Sequence, residues 1–146
     1  MRQTLITPLG PISLSEEDGA LTALHWREGT DSSPLITEAL AQLQAYFAGR
    51  LMAFDLPLAF RPGLTGAVQR QMVQIPKGET RTYGQIARAV KAPAQAVGQA
   101  CGANPLPILV PCHRVLGATT LGGFSAPGGV EAKVWLLRHE GGTLLL

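Results

Sequence analysis

The spacing of apolar residues changes once along this chain, near residue 30, and that change sets the fold class. Up to Trp26 the period is two, as in half-buried strands. Arg2–Thr7 alternates, Pro8-Leu9-Gly10-Pro11 turns, Ile12–Ser15 continues, Asp18-Gly19 turns again and Ala20–Trp26 returns. Asp-Gly between such runs is a hairpin signal, because a tight turn there needs positive φ. From Ser33 the period is helical. Ser33 suits the N-cap, Pro34 the first helical position, Leu35, Leu40, Leu43 and Phe47 recur near helical spacing, and Gly49 closes the segment. Leu51–Gly63, with Pro57 and Pro62, reads as a linker or sheet edge.

Beyond residue 60 the pattern stays helical, in shorter pieces. Leu64, Val68, Met72 and Ile75 mark one face, and Pro76-Lys77-Gly78-Glu79 stops it. Thr82 caps a segment from Tyr83 to Val90, Lys91-Ala92-Pro93 breaks it, and Ala94–Gly102 follows. Two short helices with a three-residue connection outline a helix-turn-helix, although many buried helical hairpins share that outline. Asn104-Pro105-Leu106-Pro107 breaks the chain again, and Ile108-Leu109-Val110 reads as a buried, strand-like run leading into Pro111-Cys112-His113-Arg114-Val115. A glycine-rich loop spans 117–129, Val130–Arg138 is a last helix, and Gly141-Gly142 ends it. The expected architecture is α+β: a small N-terminal antiparallel sheet with one helix (1–60), then a mainly helical, winged-helix-like domain (61–146).

Charge divides at the same point. Residues 1–60 carry three basic and seven acidic residues, a balance of −4; residues 61–146 carry nine and three, a balance of +6. A basic half beside an acidic one suggests a polyanion partner for the second domain, with chance clustering of solvated charges as the plain alternative. At 146 residues, 46% of them hydrophobic, the chain can bury a core. No apolar run approaches the roughly 18 residues of a membrane span, and MRQTLITPLG has no signal-peptide core. Two cysteines are too few for a disulfide scaffold, so a reduced, intracellular setting is expected, cytoplasmic or nuclear.

One of those cysteines could be a nucleophile. Cys112 sits between a proline and His113, with Arg114 next and Glu140 available to orient an imidazole. Cys–His–Glu follows the logic of a catalytic triad, in which a base takes the thiol proton. The plain reading is a small buried apolar residue, the common fate of a free cysteine. Cys101, with no histidine beside it, is assigned to packing. Cys101, Cys112, His113 and His139 lack the paired spacing of structural zinc, and no phosphate-binding glycine loop is present.

Pro111-Cys112-His113-Arg114-Val115 resembles the active-site signature of the O6-alkylguanine-DNA alkyltransferases, the methylated-DNA–protein-cysteine methyltransferases. The resemblance continues in Ile75–Glu79, Thr82–Ala87, Ala96-Val97-Gly98, Asn104-Pro105, Gly128-Gly129, Lys133, Trp135-Leu136-Leu137 and His139-Glu140-Gly141. It extends more weakly to Thr7–Gly10 and Tyr46–Gly49. It implies a single-use DNA-repair protein, needing no cofactor or metal and acting as a monomer on double-stranded DNA through the minor groove. O6-alkylguanine, or O4-alkylthymine in its place, would be rotated out of the duplex and its alkyl group moved irreversibly to Cys112.

The resemblance also implies roles. His113 would take the thiol proton through a water, Glu140 would hold the imidazole, and Tyr83 would give a proton to the departing base. Asn104 would be the hinge between recognition helix and active site, and Arg114 a buried structural arginine. The carbonyls of Cys112 and Val115 would read the guanine amino group, with Ser125 near O6 and Phe124 beside it. Thr82, Ala94, Gln95, Ala96, Gly98 and Gln99 would meet DNA, the small residues allowing close approach.

Three departures stand out. Gln95 occupies the place of an arginine that fills the gap left by the extruded base. Phe124 replaces a tyrosine, and Ala126-Pro127 reads as an insertion in the pocket lid. Gln69 replaces a tryptophan and reads as a change of packing. The competing readings are a lesion sensor that transfers nothing, a helix-turn-helix gene regulator, and a cysteine hydrolase.

Overall fold

The computed structural model describes residues 3–141. Contacts divide the chain into two compact units, with the boundary between Ala59 and Phe60.

In the first unit β1 (Leu5–Thr7), β2 (Gly10–Glu17) and β3 (Ala20–His25) form an antiparallel sheet in chain order. Leu5 faces Ile12 and Leu14 faces Leu24, which sets the register. Asp18 (φ 50°) and Gly19 (φ 79°) make the tight turn between β2 and β3. The segment ending at Ala59 runs along β3: Leu21 N donates to Pro57 O (2.9 Å) and Ala59 N to Leu21 O (2.8 Å). The linker is therefore a sheet edge in its last residues.

Helix α1 (Pro34–Phe47) begins at Ser33, whose side chain accepts from Ile36 N (3.0 Å). Its buried face is Ile36, Ala39, Leu40, Leu43 and Tyr46. Leu35 and Phe47, expected in that face, are only half-buried. The stripe is rotated by one residue because Ile36 and Tyr46 share the helix face of Leu40 and Leu43.

The second unit packs α2 (Gly63–Met72), α3 (Tyr83–Val90) and α4 (Ala94–Gly102) against one another, and ends in α5 (Val130–His139). Thr82 and Gln85 form a reciprocal capping box at α3, satisfying two amide donors that a helix start leaves open. Lys91 then turns left-handed (φ 58°), and Pro93 opens α4. Two two-residue strands, β4 (Arg81–Thr82) and β5 (Val115–Leu116), pair in parallel. Gly142, read as part of the stop after α5, lies outside the described residues. Among the described residues no helix is long and apolar enough to cross a membrane.

Candidate active site

The segment from Asn104 to Arg114 is almost wholly buried yet is not a strand. The expected strand-like run Ile108-Leu109-Val110 is a compact turn, closed by Leu109 N to Pro107 O (2.9 Å) and Val110 N to Leu106 O (2.8 Å). Ile108 has φ 71°, in the left-handed region that a β-branched residue avoids. Such a conformation stores about 1–3 kcal/mol and persists only where the surroundings fix it. Here Asn104 does much of the fixing. Its Nδ2 donates to Val110 O (2.9 Å) and its Oδ1 accepts from Leu106 N (3.1 Å).

The turn delivers Cys112 into a single 3₁₀ turn, Cys112–Arg114. The residue is buried, 5% exposed, and borders a cavity of about 240 Å³. Tyr83 of α3 lines one side, Gly98, Cys101 and Gly102 of α4 another, and Gly123-Phe124-Ser125 the rim. The Tyr83 ring presses on Gly122 (φ 73°), where an added Cβ would fall 2.5 Å from the phenol oxygen. Ala126-Pro127 does not line the cavity. Ala126 is buried and its carbonyl accepts from Gly129 N (2.9 Å), so the pair begins an anchored turn.

Behind the cysteine lies a buried charged triad. Glu140 pairs with Arg114 through two bonds, Nε to Oε1 (2.9 Å) and Nη2 to Oε2 (2.9 Å), while Arg114 Nη1 donates to Ile75 O (2.6 Å). His113 Nε2 stands 2.7 Å from Glu140 Oε2. A carboxylate only accepts, so the imidazole proton sits on Nε2 and Nδ1 keeps its lone pair. Nδ1 is buried with no protein partner. Burial lowers the His113 pKa, against the opposing pull of Glu140, so the ring is neutral near pH 7. Burial raises the Cys112 thiol; the Asn104 amide, the Lys133 charge and backbone bonds oppose it. Burial likewise raises the Tyr83 phenol, keeping it a proton donor.

The exposed side of α4 carries Ala94, Gln95 and Gln99, while Ala96 and Gly98 are half-buried; Val97, Ala100 and Cys101 face inward. An added Cβ at Gly98 would meet only open space. Thr82 is occupied as the cap of α3. Val115 does not line the cavity: its carbonyl accepts from Lys133 Nζ (2.6 Å). The Cys112 carbonyl accepts from Val115 N. Each of these oxygens keeps a second lone pair.

The 6-O-methylguanine DNA methyltransferase DNA-binding domain model matches residues 64–142, and the ribonuclease-like domain model of the same enzyme matches residues 1–60. The chain belongs to the 6-O-methylguanine DNA methyltransferase family. It is 40% identical to a Mycobacterium tuberculosis methylated-DNA–protein-cysteine methyltransferase, over 94% of this chain and 90% of that protein. It is 39% identical to the constitutive Bacillus subtilis enzyme of that name, over 94% and 93%. The crystal structure of M. tuberculosis OGT in complex with DNA superposes with a TM-score of 0.83 at 41% identity, covering 94% of this chain and 90% of that one.

Three residues named in the sequence have a part in this methyltransferase-family site that the sequence reading does not give them. Lys133, in an ordinary-looking helix, is fully buried; it bonds Val115 O and Gly123 O (3.2 Å) and lies 5.8 Å from the Tyr83 ring centre. Burial lowers its pKa to about 8. Gln69, read as packing, hydrogen-bonds Asn104. Cys101 does pack, its sulfur 3.7 Å from Met72 Sδ, but it also lines the cavity.

Burial pushes the Cys101 thiol up to about 12 from an ordinary value near 9. A raised folded-state pKa gives stability that is complete below the unfolded value and lost as pH climbs through the folded one. Cys101→Ala should therefore flatten the fall in urea midpoint between about pH 9 and about pH 12. A denaturation series across that range checks it.

Proposed function

We propose that this chain repairs O6-alkylguanine in DNA by moving the alkyl group irreversibly onto Cys112. The observation that carries the reading is a thiol bordering a cavity of about 240 Å³, with a neutral imidazole from the adjacent residue locked by a buried carboxylate. An alkyl group on O6 points into the base stack, so the nucleotide has to leave the duplex before any side chain reaches it. Extrusion costs a few kcal/mol, less for a damaged pair. The cavity is lined by small residues and two aromatic rings, Tyr83 and Phe124, suited to a flat ring.

The chemistry balances within the protein and the base. His113 Nδ1 accepts the thiol proton through a water. The sulfur attacks the alkyl carbon in line, an S–C bond forms and the C–O6 bond breaks. Tyr83 gives the departing base a proton, which the thiol's proton replaces. The products are a thioether and unmodified guanine. A thioether has no route back to thiol here, so each molecule acts once.

The basic balance of residues 61–146 suits the phosphate backbone. The small residues Ala94, Ala96 and Gly98 suit close approach of α4 in a minor groove by a single copy of the chain. The test is incubation with a duplex holding one labelled O6-methylguanine. One methyl group should appear on the Cys112 peptide in stoichiometric amount. A folded, reduced protein that binds the duplex and gains no methyl is a lesion sensor instead.

Gln95, exposed near the start of α4, bears on the extruded state. Glutamine is shorter than arginine and cannot stack a guanidinium in a vacated base position. Gln95→Arg should speed transfer from duplex several-fold and leave transfer from free O6-benzylguanine unchanged. Equal acceleration of both substrates would reject this role.

A further inference from the structure

Gln69 lies in α2 with no exposed surface, on a face shared with Gly66, Val68 and Met72. A buried amide is tolerated when its polar atoms are paired. Gln69 Oε1 accepts from Arg61 N (2.7 Å), and Nε2 donates to Asn104 Oδ1 (3.2 Å). Leu106 N donates to that same Asn104 oxygen. With two donors converging on Oδ1, the Asn104 amide has one favourable orientation. Its Nδ2 then donates to Val110 O (2.9 Å), the carbonyl that also accepts from Cys112 N (2.7 Å), and the amide lowers the Cys112 thiol pKa against the burial that raises it. Reversed, the amide would set oxygen against the Val110 carbonyl.

We propose that Gln69 is a positioning residue for the nucleophile, locking the orientation of the Asn104 amide, whose N–H holds the Val110 carbonyl to which Cys112 N is also bonded. Gln69 does not line the cavity and acts only through Asn104. The inference rests on Cys112 being the alkyl acceptor. Other groups facing the sulfur are Cys101 of α4, Tyr83 of α3, Lys133 of α5, and His113 backed by Glu140 and Arg114. The Gln69 variants below leave all of them in place.

Gln69→Glu keeps the side-chain shape and the acceptor for Arg61 N, but turns an oxygen toward Asn104 Oδ1. Gln69→Met removes both bonds at similar volume. The rate at which iodoacetamide modifies Cys112, followed against pH by peptide mass spectrometry, reads the thiol directly. Transfer from free O6-benzylguanine reads the reaction. In both variants the iodoacetamide midpoint should rise by about one pH unit, and transfer near pH 7 should slow about tenfold, in step with the lost thiolate. A wild-type midpoint and transfer rate in Gln69→Glu, even with reduced thermal stability, overturns the proposal. If the wild type takes no methyl group from an O6-methylguanine duplex while the iodoacetamide midpoint still moves in the variants, the repair reading fails and Gln69 still sets the ionisation of the thiol.

Discussion

Cys112→Ala should bind a methylated duplex as tightly as the parent and leave every methyl group on the DNA. The substitution removes one buried sulfur and leaves the His113–Glu140–Arg114 network intact. Its effect on stability should stay within about 1–2 kcal/mol, at the mild end for a buried truncation. The loss of transfer should be complete, because no other group among the described residues has both a soft nucleophilic atom and a base beside it. Cys101 borders the same cavity, but its thiol is pushed up to about 12 and has no histidine next to it. Transfer of label and gel-shift affinity, measured on one preparation, separate chemistry from binding. Residual methylation of the variant at the parent's rate would move the acceptor elsewhere.

Glu140→Ala should be the most destabilising single change in the second unit. The carboxylate is fully buried and answers both the Arg114 guanidinium and the His113 ring. Removing it strands a buried charge and a buried N–H donor. Breaking a buried pair from one side costs about 3–5 kcal/mol, a large share of the roughly 5–15 kcal/mol that holds a domain together. Urea denaturation should show it directly. Glu140→Gln should separate the two duties: it keeps shape and one acceptor, so stability falls less, while the imidazole loses the charge that fixes its tautomer and transfer slows. A double-mutant cycle with Arg114→Met should be strongly non-additive, since the two side chains share both bonds.

The parts of the fold governed by local chemistry can be read from the residues. Asp18-Gly19, Ser33-Pro34, the Thr82 cap and the break at Lys91-Ala92-Pro93 each act within four residues, and each appears where those residues place it. The register of α1 is less legible, because a tyrosine and a phenylalanine one residue apart compete for the core and only packing selects Tyr46. The turn at Ile108 is invisible in sequence: three apolar residues suit a strand equally well, and nothing about isoleucine announces a positive φ. Lys133 enters the sequence reading only as one residue of the family resemblance, without a role; its burial depends on carbonyls from β5 and the 117–129 loop that come near only in three dimensions. The proximity of His113 to Glu140 could be suspected from triad logic, whereas the two-bond grip of Arg114 could not.

The stretch that presents the thiol has consequences for protein engineering. It borrows its shape from distant side chains, with almost no ladder or helix of its own: an amide at 104, a second amide at 69 and a backbone kink at 108. Copying the five letters around Cys112 into another scaffold would therefore move the reactive group without its mould. A working transplant has to carry α2, the 104–114 loop and the end of α5 together.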